Sequence, residues 1–208
     1  MKLLELFSGS QSVGKVAEEL GYEVVSLDII DYNKTHKPTH LVNIMDFDYR
    51  QYKPEEFDIV WASPPCTYYS QLQKTWYGKM KKDGLFTREI HEQQMNQSDI
   101  LMYKTLEIIG YFNPRLWFIE NPWSGQLKHR KMMEDLPYYD VCYCKYSDWA
   151  YKKATRIWTN KKGFNPLWCR NDCGFIVNKK HIAEVSRTVH TALERGRIPK
   201  NLIVSLFS

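Results

Sequence analysis

The feature that most constrains this chain is the run Phe57-Asp58-Ile59-Val60-Trp61-Ala62, followed at once by Ser63-Pro64-Pro65-Cys66. The apolar run reads as a short buried strand. Proline has no N–H and a fixed φ, so a strand cannot continue through Pro64-Pro65. Ser63 and Pro64 each precede a proline and are pushed toward extended backbone. The chain must leave the sheet in a stiff turn, with Cys66 just beyond it at the edge where open α/β sheets bind ligands. On this segment alone, a buried free thiol and a nucleophile are equally open readings.

The preceding residues supply the rest of such a sheet. Residues 2–7 read as a first strand, and Ser8-Gly9-Ser10-Gln11-Ser12-Val13-Gly14 as a glycine-containing loop. A helix to about Leu20 follows, with Val13, Val16, Ala17 and Leu20 on one face and Gly21 as its stop. Residues 22–27 form a second strand closing on Asp28, and Leu41-Val42 a short third one before Asn43-Ile44-Met45-Asp46. This order, with acids at strand ends, is that of a nucleotide-binding α/β sheet. Gly9 lets backbone approach a ligand, Asp28 is placed to grip ribose hydroxyls, and Asp46 could accept from an adenine amino group.

Residues 69–86 are polar, contain Gly78 and Gly84, and suit either a mobile lid or a plain surface loop. A helix is expected over 90–111, stopped by Asn113-Pro114. Residues 115–119 then make a fifth strand, ending on Glu120-Asn121-Pro122. If the strands of Cys66 and Glu120 are neighbours, a thiol and a carboxyl converge on one pocket, a working catalytic arrangement.

These residues resemble the DNA cytosine-C5 methyltransferases. Residues 6–14 resemble that family's cofactor loop, with Gln11 or Ser12 where a second glycine is usual. Ser63-Pro64-Pro65-Cys66 is similar to its Pro-Cys motif, Glu120-Asn121-Pro122 to its Glu-Asn-Val motif, and Thr155-Arg156-Ile157-Trp158-Thr159 to the strand bearing its catalytic arginine. The resemblance covers residues 1–160, with a fainter tail over 195–202. It implies a Rossmann-like fold, a mixed, mostly parallel seven-strand sheet with helices on both faces. It also implies S-adenosylmethionine as cofactor, held by Phe7, Gly9, Asp28, Asp46 and Pro65. Cys66 would add to cytosine C6, Glu120 would act at N3, and Arg156, with Lys153, would contact the base or steady the thiolate. The target base must leave a DNA duplex to reach such a pocket.

The sequence departs from that family in two respects. Of the usual Gln-x-Arg-x-Arg only Arg156 remains, in Lys152-Lys153-Ala154-Thr155-Arg156, and no Gly-Asn-Ser segment completes the cofactor pocket. The stretch between Trp158 and the final helical segment is too short for a separate target-recognition domain, so residues 1–208 are expected to form one methyltransferase domain. That outline is similar to phage and viral methyltransferases.

Charge and cysteine content limit the partners. The net charge is +5, with basic clusters at 74–82, 128–131, 152–162 and 187–200 interleaved with Trp76, Tyr77, Trp149, Tyr151 and Trp158. This permits phosphate contact and base stacking and suits DNA or RNA equally, as it does a solvated basic face. No apolar run reaches membrane-spanning length and no secretory pattern opens the chain, so a cytoplasmic protein of a bacterial or virus-infected cell is expected. Five cysteines, an odd count, point to a reducing compartment. Cys169 and Cys173 with His181 could donate zinc ligands, with Cys142 or Cys144 as a fourth. The spacing is not that of a standard finger, buried or exposed cysteines explain it equally well, and no metal is assigned. A helix is expected over 182–195 and a last short one after Lys200. The competing readings are the same chemistry on RNA, transfer of a modified group, and a nucleic-acid-binding relative that has lost turnover.

Overall fold

The computed structural model describes residues 1–32, 37–184 and 191–208. Its centre is a seven-strand sheet. Five expected strands lie near their observed places: β1 (Lys2–Leu6), β2 (Glu23–Asp28), β3 (His40–Leu41), β4 (Ile59–Ala62) and, further along, β7 (Leu116–Pro122). A two-residue hairpin, β5 (Met80–Lys81) and β6 (Gly84–Leu85), precedes β7, and β8 (Tyr138–Cys142) and β9 (Ala154–Thr159) follow it. The sheet order is β3-β2-β1-β4-β7-β9-β8. β3, β2, β1, β4 and β7 run parallel, and β9 runs antiparallel to both of its neighbours.

Strand alternation divides the core in two. On one face Leu4, Leu6, Val60, Ala62 and Ile119 pack against Met95, Met102, Ile108, Ile109 and Phe112 of the long helix α2 (Arg88–Phe112). On the other, Leu3, Ile59, Trp61 and Phe118 meet Val13, Val16 and Ala17 of α1 (Ser12–Glu19) and the C-terminal helix. That helix, Lys200–Phe207, is the fourth described in full and contributes Leu202, Ile203, Leu206 and Phe207. Each fully buried Leu, Ile or Phe contributes about 1.5–3 kcal/mol, so the sandwich is held from both sides. Helices therefore cover both faces, as expected.

α2 starts on Thr87, whose hydroxyl accepts from Ile90 N–H at 3.3 Å, and stops at Asn113, left-handed at φ 43°. One local expectation gains detail and another is corrected. Residues 69–86 carry a 3-10 turn (Gln71–Trp76) and the β5–β6 hairpin, pinned by Tyr77 to His91 Nδ1 and by His91 Nε2 to Tyr68 O, both at 2.7 Å. The helix expected over 182–195 is not continuous: Ile182 and Ala183 are non-helical, 185–190 lie outside the described residues, and α3 occupies only Ala192–Gly196. Among the described residues, no helix is long and apolar enough to cross a membrane.

Candidate active site

The chain moves from β1 outward to β2 and β3, then returns to the other side of β1 as β4. Such a reversal opens a crevice at the carboxyl ends of the strands. A cavity of about 870 Å³ lies there, lined by the loops after β1, β2, β4 and β7 and by the C-terminal segment.

The loop after β1 is shaped for close approach. Phe7, a non-glycine residue, is left-handed at φ 57°, and Gly9 at φ 47° needs the freedom that glycine provides. Strain of this kind concentrates at ligand sites. Asp28, at the end of β2, accepts Gly9 N–H at 2.8 Å through Oδ2 and Ile30 N–H at 3.0 Å through Oδ1. Phe7, Gly9, Asp28 and Pro65 all line the cavity. Asp46 does not: it is solvent-exposed beyond the turn, and Asn43 and Ile44 line the wall instead. β3 is only two residues long, so its following turn reaches the crevice at Asn43, before Asp46. Glu5, one strand turn inside the crevice, was not singled out. It accepts Gly14 N–H at 3.0 Å, and its pKa is pushed up to about 8, burial outweighing the N–H groups of Gly14 and Val13.

Cys66 and Glu120 reach the same cavity from neighbouring strands, since β4 and β7 pair in parallel. Asn121 Nδ2 donates to Pro64 O at 3.0 Å and ties the two strand-end turns together. Glu120 is buried, with Tyr143 Oη donating to Oε1 at 2.8 Å and Lys153 Nζ 3.6 Å from the same oxygen. Cys66 opens toward solvent through the cavity mouth, yet its sulfur lies among enough protein to be desolvated. Burial pushes the thiol above its ordinary value, the charge of Glu120 adds to this, and Lys153 opposes it. A thiol held down by a cation is therefore not what this site contains before substrate enters.

Arg156 is the second correction. Its guanidinium grips Asp140, Nε to Oδ1 at 2.7 Å and Nη2 to Oδ2 at 2.8 Å, and stacks 3.5 Å over the Tyr138 ring. The register explains this. Glu120 pairs with Ile157, while Arg156 pairs with Asn121 and so points to the opposite face of the sheet from Glu120. Lys153 is three residues before Arg156 and shares the face of Ile157 and Thr155, which makes it the cation at the carboxyl. The basic clusters are likewise partly spent internally: Arg130 binds Asp99 and Glu92, and Lys145 binds Asp172. Arg187 lies outside the described residues.

Two further groups carried no clear sequence signal. Tyr143 follows β8, an edge strand with no alternating apolar pattern. Leu193, Arg195, Gly196 and Ile198 close the cavity where no Gly-Asn-Ser segment was found, held by Lys153 Nζ to Arg195 O at 2.9 Å and Ile198 N to Ser12 Oγ at 3.1 Å. Of the sulfur and imidazole groups near the C-terminus, the ligand atoms of Cys144, Cys169, Cys173 and His181 converge, while Cys142 packs beside Cys144 and Cys169 without joining that set.

The fold and crevice define a class: an α/β protein with a mostly parallel sheet and a ligand site at its switch point, a thiol and a carboxyl at adjacent strand ends. No protein-family model matches the chain. Over 173 residues it is 39% identical to a protein of Frog virus 3 (isolate Goorha) named a probable DNA (cytosine-5)-methyltransferase, which spans 81% of this chain and 75% of that relative. Its structure is similar to the methyltransferase EhMeth of Entamoeba histolytica, with 13% identity, TM-score 0.53, 81% of this chain and 56% of that one. It is also similar to the Dnmt2 methyltransferase of S. pombe, with 13% identity, TM-score 0.51, 83% of this chain and 53% of that one. The chain spans about half the length of these structures, and at such identity they show the fold alone, a Rossmann-like methyltransferase sheet. The chain belongs to the DNA cytosine-5-methyltransferase family.

Proposed function

We infer that this protein methylates carbon 5 of cytosine in double-stranded DNA, using S-adenosylmethionine, with residues 1–208 acting as one methyltransferase domain. The observation that carries the reading is the convergence of Cys66 and Glu120 on one cavity, with Asn121 locking their turns together. The cofactor side fits that group. Among the described residues Ser8 Oγ is buried without a hydrogen-bond partner and Asp28 accepts one N–H at each oxygen, and Phe7 and Gly9 are left-handed beside them. Phe7, Gly9, Asp28, Pro65, Asn43 and Ile44 would hold it, and bound there it would supply an electrophilic methyl group.

The chain's own groups then act on a cytosine swung out of the duplex. The Cys66 thiolate adds to C6, making C5 nucleophilic. Glu120 gives a proton to N3 or hydrogen-bonds it as the adduct forms. Lys153, not Arg156, is the cation beside them, and Tyr143 orients the carboxyl. After methylation the C5 proton is lost to a base and Cys66 is expelled.

Surface aromatics beside lysines suit a nucleic-acid backbone: Lys128 lies 4.1 Å over Trp123, and Lys79 and Lys81 lie 5.5 and 5.2 Å from Trp76. Such a protein would act in the cytoplasm of a bacterial or virus-infected cell. The test is transfer of a tritiated methyl group to DNA and to RNA in parallel, with DNA containing 5-fluorocytosine as a trap. Label in DNA and a covalent adduct that vanishes in Cys66→Ala are expected. Label in RNA alone would favour the RNA reading. Cofactor binding with label in neither would favour a binding protein.

A further inference from the structure

We propose that Cys144, Cys169, Cys173 and His181 form a structural zinc site outside the cavity. Cys144 sits in the 3-10 turn Tyr143–Lys145 after β8, and the other three come from the segment after β9. One ligand atom from each residue lies within 4.8 Å of all the others. The separations from His181 Nε2 are 3.6 Å to Cys169 Sγ and 3.3 Å to Cys173 Sγ. Tetrahedral zinc with Zn–S of ~2.3 Å and Zn–N of ~2.0 Å requires S···N separations of about 3.5 Å. The pairs are thus at the distance a shared metal would impose.

Local backbone geometry is committed to this convergence. Asn171 is left-handed at φ 65°, and Asp172 Oδ1 accepts Arg170 N–H at 3.0 Å, closing a tight turn between the two cysteines. Backbone N–H groups of Asn171 and Asp172 lie near the Cys169 sulfur and favour its thiolate, the second-sphere support that metal-bound thiolates use. His181 is delivered by a hairpin, Ile176–Val177 paired with Lys180–His181, whose turn residues Asn178 and Lys179 are both left-handed at φ 49° and 63°. Cys142 N donates to Leu167 O at 3.0 Å and Lys152 Nζ to Cys169 O at 3.0 Å, so the segment is also docked on β8.

A disulfide does not account for the cluster, because three sulfurs and an imidazole meet and pairing two sulfurs strands the others. Four protein ligands leave no open position, the signature of a structural site rather than a catalytic one. Soft thiolates with one imidazole select zinc over oxygen-seeking cations. The segment has two-residue strands and little core of its own, so the metal would supply the cross-link. It would also fix the turn that carries Tyr143, and through it the Glu120 carboxyl.

The test uses the full chain, expressed with added zinc and purified with a reductant and no chelator. About one zinc per chain is expected by elemental analysis, falling below about a tenth in Cys173→Ser and His181→Ala and unchanged in Cys66→Ser. Because the first two variants can fail to fold, the native chain is also loaded with cobalt(II). Intense visible ligand-field bands and a sulfur-to-cobalt charge-transfer band are expected. Absence of both zinc after anaerobic reconstitution and a tetrahedral cobalt spectrum would overturn the proposal, as would full zinc content in folded Cys173→Ser.

Discussion

Glu5 offers a test in which burial and hydrogen bonding predict opposite outcomes. Its carboxyl lies under the cofactor loop, fully enclosed, and accepts N–H bonds from Gly14 and Val13 at the start of α1. Those donors favour the ionised form, while desolvation favours the neutral one, and burial raises the pKa from 4.5 to about 8. A raised folded-state pKa means that the folded protein binds a proton the unfolded chain has released. Its contribution is fully present below pH 4.5 and is lost as pH rises to 8. At about 1.4 kcal/mol per pH unit this amounts to about 5 kcal/mol, a large share of the 5–15 kcal/mol typical of a domain. Glu5→Gln keeps a carbonyl to accept the Gly14 N–H and has no proton to lose. Urea unfolding of both proteins at intervals from pH 5 to 9 should show wild type losing several kcal/mol relative to the variant. Taking the difference cancels the other titrating groups. Parallel stability curves would mean that the helix N–H groups win and Glu5 is ionised in the native protein, which would refute the ranking of burial over hydrogen bonding.

Other substitutions probe the placement of the site. Lys153→Met should lower methyl transfer about 100-fold, while Arg156→Ala should cost about 1 kcal/mol of stability and leave transfer nearly intact; the opposite order in radiolabel and melting assays would restore Arg156 to the site. Asn121→Ala leaves Pro64 O without its buried donor, so a loss of about 1–3 kcal/mol in urea unfolding is expected, with slower adduct formation; unchanged adduct kinetics would show that the two turns are set independently. In Gly14→Ala the new Cβ would stand 2.6 Å from Glu5 Oε2, costing about 1–3 kcal/mol; a melting temperature at the wild-type value would show that Glu5 moves freely.

The parts of the molecule that could be read from the sequence are those whose pattern is local. β1, β4 and β7 are apolar runs cut off by a loop, by Pro64-Pro65 and by Pro122, and α2 is stopped by Asn113-Pro114, so these ends announce themselves. β8 was hidden because an edge strand, Tyr-Tyr-Asp-Val-Cys, buries only its last two residues and shows no clear period. Asp46 stands out in the sequence as a carboxylate, whereas the length of β3, which decides that Asn43 meets the crevice, has no signature in two residues. Tyr143 was hidden for a similar reason, since its hydroxyl meets Glu120 only through tertiary packing.

The arginine shows where motif and register part company. A motif fixes residue type at a sequence position, but a strand delivers alternate residues to opposite faces, so one residue of slip removes a side chain from the site. In β9 the pairing of Asn121 with Arg156 sends the guanidinium to the far face, where Asp140 and Tyr138 receive it in a bidentate, stacked arrangement. A charge so well satisfied has no reason to return. The site face is left with Lys153, whose flexible stem reaches Glu120 and Arg195 O from just before the strand begins. That lysine thus links the carboxyl at the end of β7 to the segment that closes the cavity. A change in the C-terminal segment should accordingly reach the Glu120 carboxyl through this side chain.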